Sequence, residues 1–232
     1  MTVLPLLVSA ALLLSAPSKA PKEVEITAEP SHHMVFQNRY VRVFQVEIPA
    51  KSSTLLHRHR HDYVFVSLGA ADISNEVEGK PPVEVKLNDG EARFTPGNFA
   101  HVARNLAPTS FRNITIEFLQ DAKTGTISPS DDDQRSMHVL HGGTQEVLFV
   151  KDGVRVVETE LQIAGVQPKH HHARAELVIA LTDLTLRNDV VGDTPSNFEM
   201  KAGEVKWIEG GFTHTVTNVG QGPAKLVTLE FE

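Results

Sequence analysis

The chain contains no cysteine, which excludes disulfides, zinc–thiolate sites and cysteine nucleophiles. It has no excess of positive charge: 22 basic residues face 29 acidic ones, for a net charge of −7. No basic patch of nucleic-acid type is visible, so a nucleic-acid partner is not expected. No helical period of useful length runs through it, which points away from helical classes. No apolar run is long enough to cross a bilayer. Val3 to Ala16 is nearly all apolar, but it is shorter than a membrane span needs and has the length of a signal-peptide core.

We therefore read residues 1–20 as a signal peptide and expect an exported protein, periplasmic or secreted, with no membrane association after its removal. The signal is atypical in having no Lys or Arg before the apolar run. Cleavage after Ala20 would leave Pro21 first, and cleavage after Ala11 or Ala16 is an alternative. With no cysteine near the segment, a lipid-anchored form is not expected.

What the chain does have is histidine, 12 in 232 residues. Pro168 to Glu176 reads Pro-Lys-His-His-His-Ala-Arg-Ala-Glu. On an extended strand, residues two apart share a face, so His170 and His172 aim together while His171 and Lys169 aim the other way. Glu176 follows four residues later, and His214 lies far down the chain in Gly-Gly-Phe-Thr-His-Thr-Val-Thr-Asn. Two imidazoles from one strand, a nearby carboxylate and a distant imidazole suit a first-row transition metal.

The same pattern occurs earlier in His57, His59 and His101, because 170 − 57, 172 − 59 and 214 − 101 all equal 113. Gly90 maps onto Gly203, Phe99 onto Phe212 and Asn105 onto Asn218 at that offset. Val41-Arg42-Val43 maps onto Val154-Arg155-Val156, and Thr115, Glu117 and Phe118 onto Thr228, Glu230 and Phe231. This is an internal duplication without net insertion. The position that matches Glu176 is Tyr63.

Short alternating segments recur between turn signals such as Asn88-Asp89-Gly90, which predicts an all-β sandwich or small barrel. We divide the chain into an N-terminal domain at 21–120, a linker at 121–137 rich in Asp, Ser, Thr and Gly, and a C-terminal domain at 138–232. Pro21 to Ser31 reads as a polar tether, and Gly165 as a turn before the ligand strand. Arg58 and Arg60 read as a solvated outer face. His32, His33, His138 and His141 read as surface residues near domain entries. Trp207 and Phe94, at matching positions, read as core or barrel-mouth residues.

These motifs resemble the cupin superfamily, and the duplication resembles a bicupin. The family's first motif places His-x-His and a Glu between glycines. His170, His172 and Glu176 match it, with Gly165 one residue close and Asp183 at the final glycine. The second motif, Gly, Pro-x-Gly, His and Asn, is matched by Gly90, Pro96, His101 and Asn105, with Asn98 for the middle glycine. Its second copy is Gly203, Gly211, His214 and Asn218, with Glu209 for the proline. The resemblance covers about residues 34–120 and 147–232. It implies two tandem double-stranded β-helix (jelly-roll) cupin barrels, with a metal inside the barrel.

The candidate metal ligands are thus His170, His172, Glu176 and His214 in the second repeat, and His57, His59 and His101 in the first. The ligand set permits Fe, Mn, Co, Ni, Cu or Zn without choosing among them. Glu176, if it leaves the metal, and Tyr63 are the candidate catalytic groups; Tyr63 could also be a fourth ligand or a hydrogen-bond partner. His61 and Asp62 are substitutes for the missing carboxylate. The expected function is a metal-dependent enzyme acting on a small organic substrate, first of all a dioxygenase similar to quercetinase. The alternatives are a non-oxidative decarboxylase, lyase or isomerase, and a non-catalytic metal- or metabolite-binding protein. Jelly-roll edges commonly pair, so a homo-oligomer is compatible with the sequence.

Overall fold

The structure, a computed structural model, describes residues 22–119, 137–151 and 153–231. The expected signal peptide and most of the expected linker lie outside the described residues. Those described are almost wholly extended, with one short 3-10 turn at Ile26–Ala28 and no α-helix.

The first repeat contributes ten strands: β1 (Val24–Glu25), β2 (His32–Gln37), β3 (Val41–Ile48), β4 (His57–His59), β5 (Tyr63–Ser67), β6 (Ala71–Val77), β7 (Val83–Leu87), β8 (Ala92–Thr95), β9 (Phe99–Asn105) and β10 (Phe111–Phe118). They form two five-stranded sheets, ordered β1-β4-β9-β6-β7 and β2-β3-β10-β5-β8. The second repeat contributes β11 (Met137–Lys151), β12 (Val154–His172), β13 (Glu176–Ala180), β14 (Leu184–Val190), β15 (Ser196–Met200), β16 (Val205–Ile208), β17 (Phe212–Asn218) and β18 (Ala224–Phe231). These make one eight-stranded sheet, β15-β14-β17-β12-β18-β13-β16, with β11 paired to β12.

The structure corrects two expectations from the sequence. The stretch read as a polar tether contains β1, which pairs in parallel with β4, and it includes Glu29, a buried carboxylate. Gly165 is not a turn between strands: β12 runs through it, bent at Ala164, whose φ of 60° repeats the φ of 58° at the matching Lys51. A Cβ on Gly165 would collide with the Gly142 carbonyl oxygen, so only glycine lets β11 approach there.

Period-two alternation decides what each strand faces. Ile114 and Ile116 of β10, Val64 and Val66 of β5, and Val41 and Val43 of β3 point toward the second repeat. There they pack on Val154 and Val156, Leu177 and Ile179, and Val227 and Leu229 in one buried cluster. The intervening residues face inward, toward each repeat's own cluster and its histidines. In the first repeat that cluster includes Phe44, Ile48 and Phe111; in the second, Leu161, Leu186 and Met200.

The contact between repeats is reciprocal. Gly90 lies against Leu181 and Lys225, and Gly203 lies against Leu68 and Arg112, which are the same positions shifted by 113. Trp207 stacks at 5.9 Å on both Phe36 and Tyr40 of the first repeat, so its place is the junction between repeats.

Asn105 and Asn218 perform the same task in each repeat. Asn105 Nδ2 donates toward the carbonyls of Ile48, Pro49 and Thr109, and Asn218 Nδ2 toward those of Leu161, Gln162 and Gly222. Both are buried and tie the strand bearing the third histidine to the bend before the His-x-His strand.

The shared core predicts that the repeats unfold together. Ile116→Ala, in the first repeat, should cost about 2–5 kcal/mol. Because Trp207 is the sole tryptophan and lies in the second repeat, its fluorescence in a denaturant titration reads the coupling. An unchanged Trp207 midpoint in this variant would show the repeats to be independent.

Candidate metal centres

In the second repeat, β12 and β17 are antiparallel neighbours with His170 opposite His214, and His172 two residues along the same face. The three Nε2 atoms converge: His214 Nε2 is 2.9 Å from His170 Nε2 and 3.1 Å from His172 Nε2. Two cis ligands at about 2.1 Å from one octahedral ion stand about 3.0 Å apart, so the spacing is that of a coordination sphere.

The tautomers support the same reading. His170 Nδ1 lies 2.7 Å from the Pro168 carbonyl oxygen, which can only accept, so Nδ1 carries the proton and Nε2 is bare. His214 Nδ1 lies 2.7 Å from Asn188 Oδ1, which fixes its proton likewise. Two neutral imidazoles cannot hydrogen-bond through two bare nitrogens, and a cation between them resolves the contact. A divalent transition-metal ion fits this donor set.

Glu176 is buried on β13, but its carboxylate stands on the other edge of His172, with Oε2 3.5 Å from Nδ1. There it groups with His172 and Glu230, while His170 and His214 group with His172 on its Nε2 side. Arg155 Nη1 donates to Glu230 Oε2 at 2.8 Å. Burial, then the Glu230 charge, pushes the Glu176 carboxyl up to about 8.

The first repeat builds the same frame. β4 and β9 set His57 opposite His101, with ring centroids 4.5 Å apart, and His59 lies 5.2 Å from both. His57 Nδ1 lies 2.9 Å from the Leu55 carbonyl, and His101 Nδ1 2.6 Å from Asn75 Oδ1. Leu55 and Asn75 match Pro168 and Asn188 at the repeat offset, so the outer hydrogen bonds are duplicated along with the histidines. His57 Nε2 and His101 Nε2 are buried with no hydrogen-bond partner, and so is His59 Nδ1 on the side of Glu117. Such orphans cost about 1–3 kcal/mol each when unengaged, and at His57 and His101 a bound cation relieves that cost.

Tyr63 lies with its ring stacked on His59 at 4.1 Å. Its burial raises the phenol's pKa, which keeps it neutral. Glu117, buried beside Arg42, has Oε1 3.5 Å from His59 Nδ1. His61 and Asp62 belong to neither cluster; Asp62 instead accepts from the Gly97 amide.

Four participants were not singled out from the sequence: Glu117, Glu230, His32 and Glu29. Glu117 and Glu230 were visible only as a repeated pair, with Arg42 and Arg155 beside them. His32, read as a surface residue, is instead buried against His57 at 4.7 Å between ring centroids. Its Nδ1 lies 2.6 Å from Glu29 Oε2. Arg58 pairs with Glu23, and Arg60 with Glu25, on the outer face where they were expected.

The two sites differ in access. The first cavity, about 160 Å³, has its three motif histidines buried. The second, about 70 Å³, shares His170 and His172 with a mouth of about 510 Å³. Lys169 and Arg174 line that mouth, and neither forms an ion pair among the described residues.

No family model matches the sequence, and no curated protein sequence matches it. Solved structures do. A Bacillus subtilis oxalate decarboxylase studied for its Mn(II) centres aligns with a TM-score of 0.60 and 11% identity, over 88% of this chain and 76% of that one. The Lactobacillus farciminis oxalate decarboxylase formate complex gives 0.61 and 13%, over 87% and 84%. AerE from Microcystis aeruginosa gives 0.58 and 12%, over 88% and 98%. At these identities the likeness is one of fold, and the fold is that of the cupins.

The histidines make the metal-free protein acid-sensitive. Burial pushes His57, His59 and His214 down to about 3 from 6.5, His32 adding to the shift at the first two, and lowers His101 and His172 too. Below pH 6.5 the unfolded chain therefore takes up protons that the fold refuses, and stability falls as pH falls toward 3. Glu176 acts oppositely: its raised value stabilises the fold at low pH and loses that contribution as pH rises from 4.5 through about 8. Burial also raises Glu117 and Glu158, which act in the same sense as Glu176; five depressed imidazoles outweigh these three carboxyls, so denaturation of chelated protein should show a stability maximum near pH 6.5. A curve still rising through pH 8 would contradict these protonation states.

Proposed function

We propose that the chain is a metal-dependent cupin enzyme whose chemistry lies in the second repeat and whose substrate is a small carboxylate. In this reading each repeat is one jelly-roll barrel around its own site, the two joined by the linker at 121–137, and the protein is exported. His170, His172 and His214 hold the ion. The carrying observation is their three converging Nε2 atoms, 2.9 and 3.1 Å apart, beneath a cationic mouth.

A divalent ion held there would anchor and polarise a substrate carboxylate oxygen. The chain's own residues supply the rest. Lys169 and Arg174 attract an anion to a protein whose net charge is −7. Val178, Leu186, Phe198 and Ile208 line the cavity and exclude water. In the metal-free protein, burial by that lining and then the Glu230 charge push the Glu176 carboxyl up to about 8. When a C–C bond to a carboxylate breaks, its electron pair stays on the remaining carbon, which needs a proton. Glu176, which lines the same cavity, is the acid we assign to this step.

This favours non-oxidative decarboxylation, the reaction named for two of the fold neighbours, over the dioxygenase expected first from the sequence. Oxygenation is the second reading, because three imidazoles leave positions for both substrate and dioxygen. Oxalate and related small acids are the first substrates to try.

The test is CO2 release and O2 uptake by Mn(II)-loaded protein on a panel of small di- and keto-acids. We expect CO2 without net O2 consumption, none in His170→Ala/His172→Ala, and a loss of about 10²–10⁴-fold in Glu176→Gln. Stoichiometric O2 uptake would make the protein a dioxygenase. No turnover with the ion in place would make it a binding protein.

A further inference from the structure

We infer that the first repeat is a four-imidazole metal centre, in which His32, from outside the duplicated motif, is the fourth ligand. This rests on the reading of His57, His59 and His101 as metal ligands and adds a residue to it.

The geometry comes first. The side chain of His32 is 5% exposed, and its ring lies 4.7 Å from His57 and 6.1 Å from His59, centroid to centroid. Ligand nitrogens of His32, His57 and His59 all lie within 4.8 Å of one another. His101 is not part of that group of three; its ring lies across His57, at 4.5 Å between centroids. All four line one cavity.

The tautomer is set by Glu29. Its carboxylate is 1% exposed and accepts from the amides of Ser31 and Leu55, at 2.8 and 3.1 Å, as well as facing His32 Nδ1. Held by two amides, it cannot turn away. It accepts a hydrogen bond from His32 Nδ1 and leaves Nε2 as a donor to a metal, the carboxylate–histidine arrangement of metal sites.

The duplication supplies an independent argument. His32 matches Gln145 and Glu29 matches Gly142 at the 113-residue offset. Gln145 lines the second cavity as His32 lines the first, so this position faces the site in both repeats. The second repeat has Glu176 and no His–Glu pair there. The first has the pair and Tyr63 in place of the carboxylate. Each repeat therefore has one group beyond its three histidines, inside the motif in the second and outside it in the first. A centre of four imidazoles with no carboxylate ligand keeps the full double charge of its ion and has one fewer open position. It suits a structural role, with substrate chemistry left to the second repeat.

The test uses the full chain carrying His170→Ala/His172→Ala, loaded with Cu(II) as probe and compared with the same chain carrying His32→Gln. Gln stands at the matching position of the second repeat, so the substitution is one this frame accommodates, and Trp207 fluorescence checks that the fold is retained. We expect Cu(II) affinity to fall at least about tenfold. The nitrogen splittings in the electron paramagnetic resonance spectrum should change as one imidazole is lost. Glu29→Gln should weaken binding in the same direction while keeping the nitrogen count. Uptake with unchanged affinity and spectrum in His32→Gln would overturn the role of His32 alone. No uptake in the first repeat would overturn it together with the metal reading of His57, His59 and His101. Neither result touches the second repeat.

Discussion

Imidazoles whose Nδ1 protons are committed to carbonyl or amide oxygens must turn bare nitrogens inward, and the architecture depends on making that arrangement tolerable. Pro168 and Leu55 hold one histidine of each repeat this way, Asn188 and Asn75 another. The bare nitrogens then meet in an apolar interior, where protonation is resisted by burial and by neighbouring imidazoles. A divalent cation is the one partner that satisfies all of them together. The outer oxygens matter as much as the histidines, because they decide which nitrogen each ring presents.

The strands that face the histidines across each site are buried on both faces. β5, β10, β13 and β18 give alternate residues to the core between repeats and the rest to the site interior. Ile116 thus lies in the shared core while its neighbours Thr115 and Glu117 face the first site. Stability and site geometry are written on the two sides of the same backbone. This explains how a buried set of polar groups survives: the opposite face supplies the apolar burial that offsets their desolvation.

Duplication with divergence has given the repeats different surroundings on one frame. The second has its histidines at the base of a mouth lined by Lys169 and Arg174, with a protonated carboxyl beside them. The first has its three motif histidines buried, with Tyr63 stacked on His59 and a buried His32–Glu29 pair.

The sequence by itself determined the duplication, the all-β class and the two His-x-His strands. These follow from local rules: an offset of 113 residues can be counted, and period-two alternation fixes which side chains share a face. It also showed His101 and His214 through their place in the repeat. Only the tertiary structure decided what approaches those histidines from elsewhere. His32 looked like one of two adjacent surface histidines because its strand carries no motif; it is buried because β2 pairs with β3 and brings its ring to His57. Glu29 sat in a stretch that read as polar tether, yet the turn that follows β1 buries it. Glu176 lay in the expected motif, but its position on the far edge of His172, beside Glu230, comes from the pairing of β13 with β18. Contacts between residues dozens of positions apart are set by strand order and register, and neither is encoded in any one segment's periodicity.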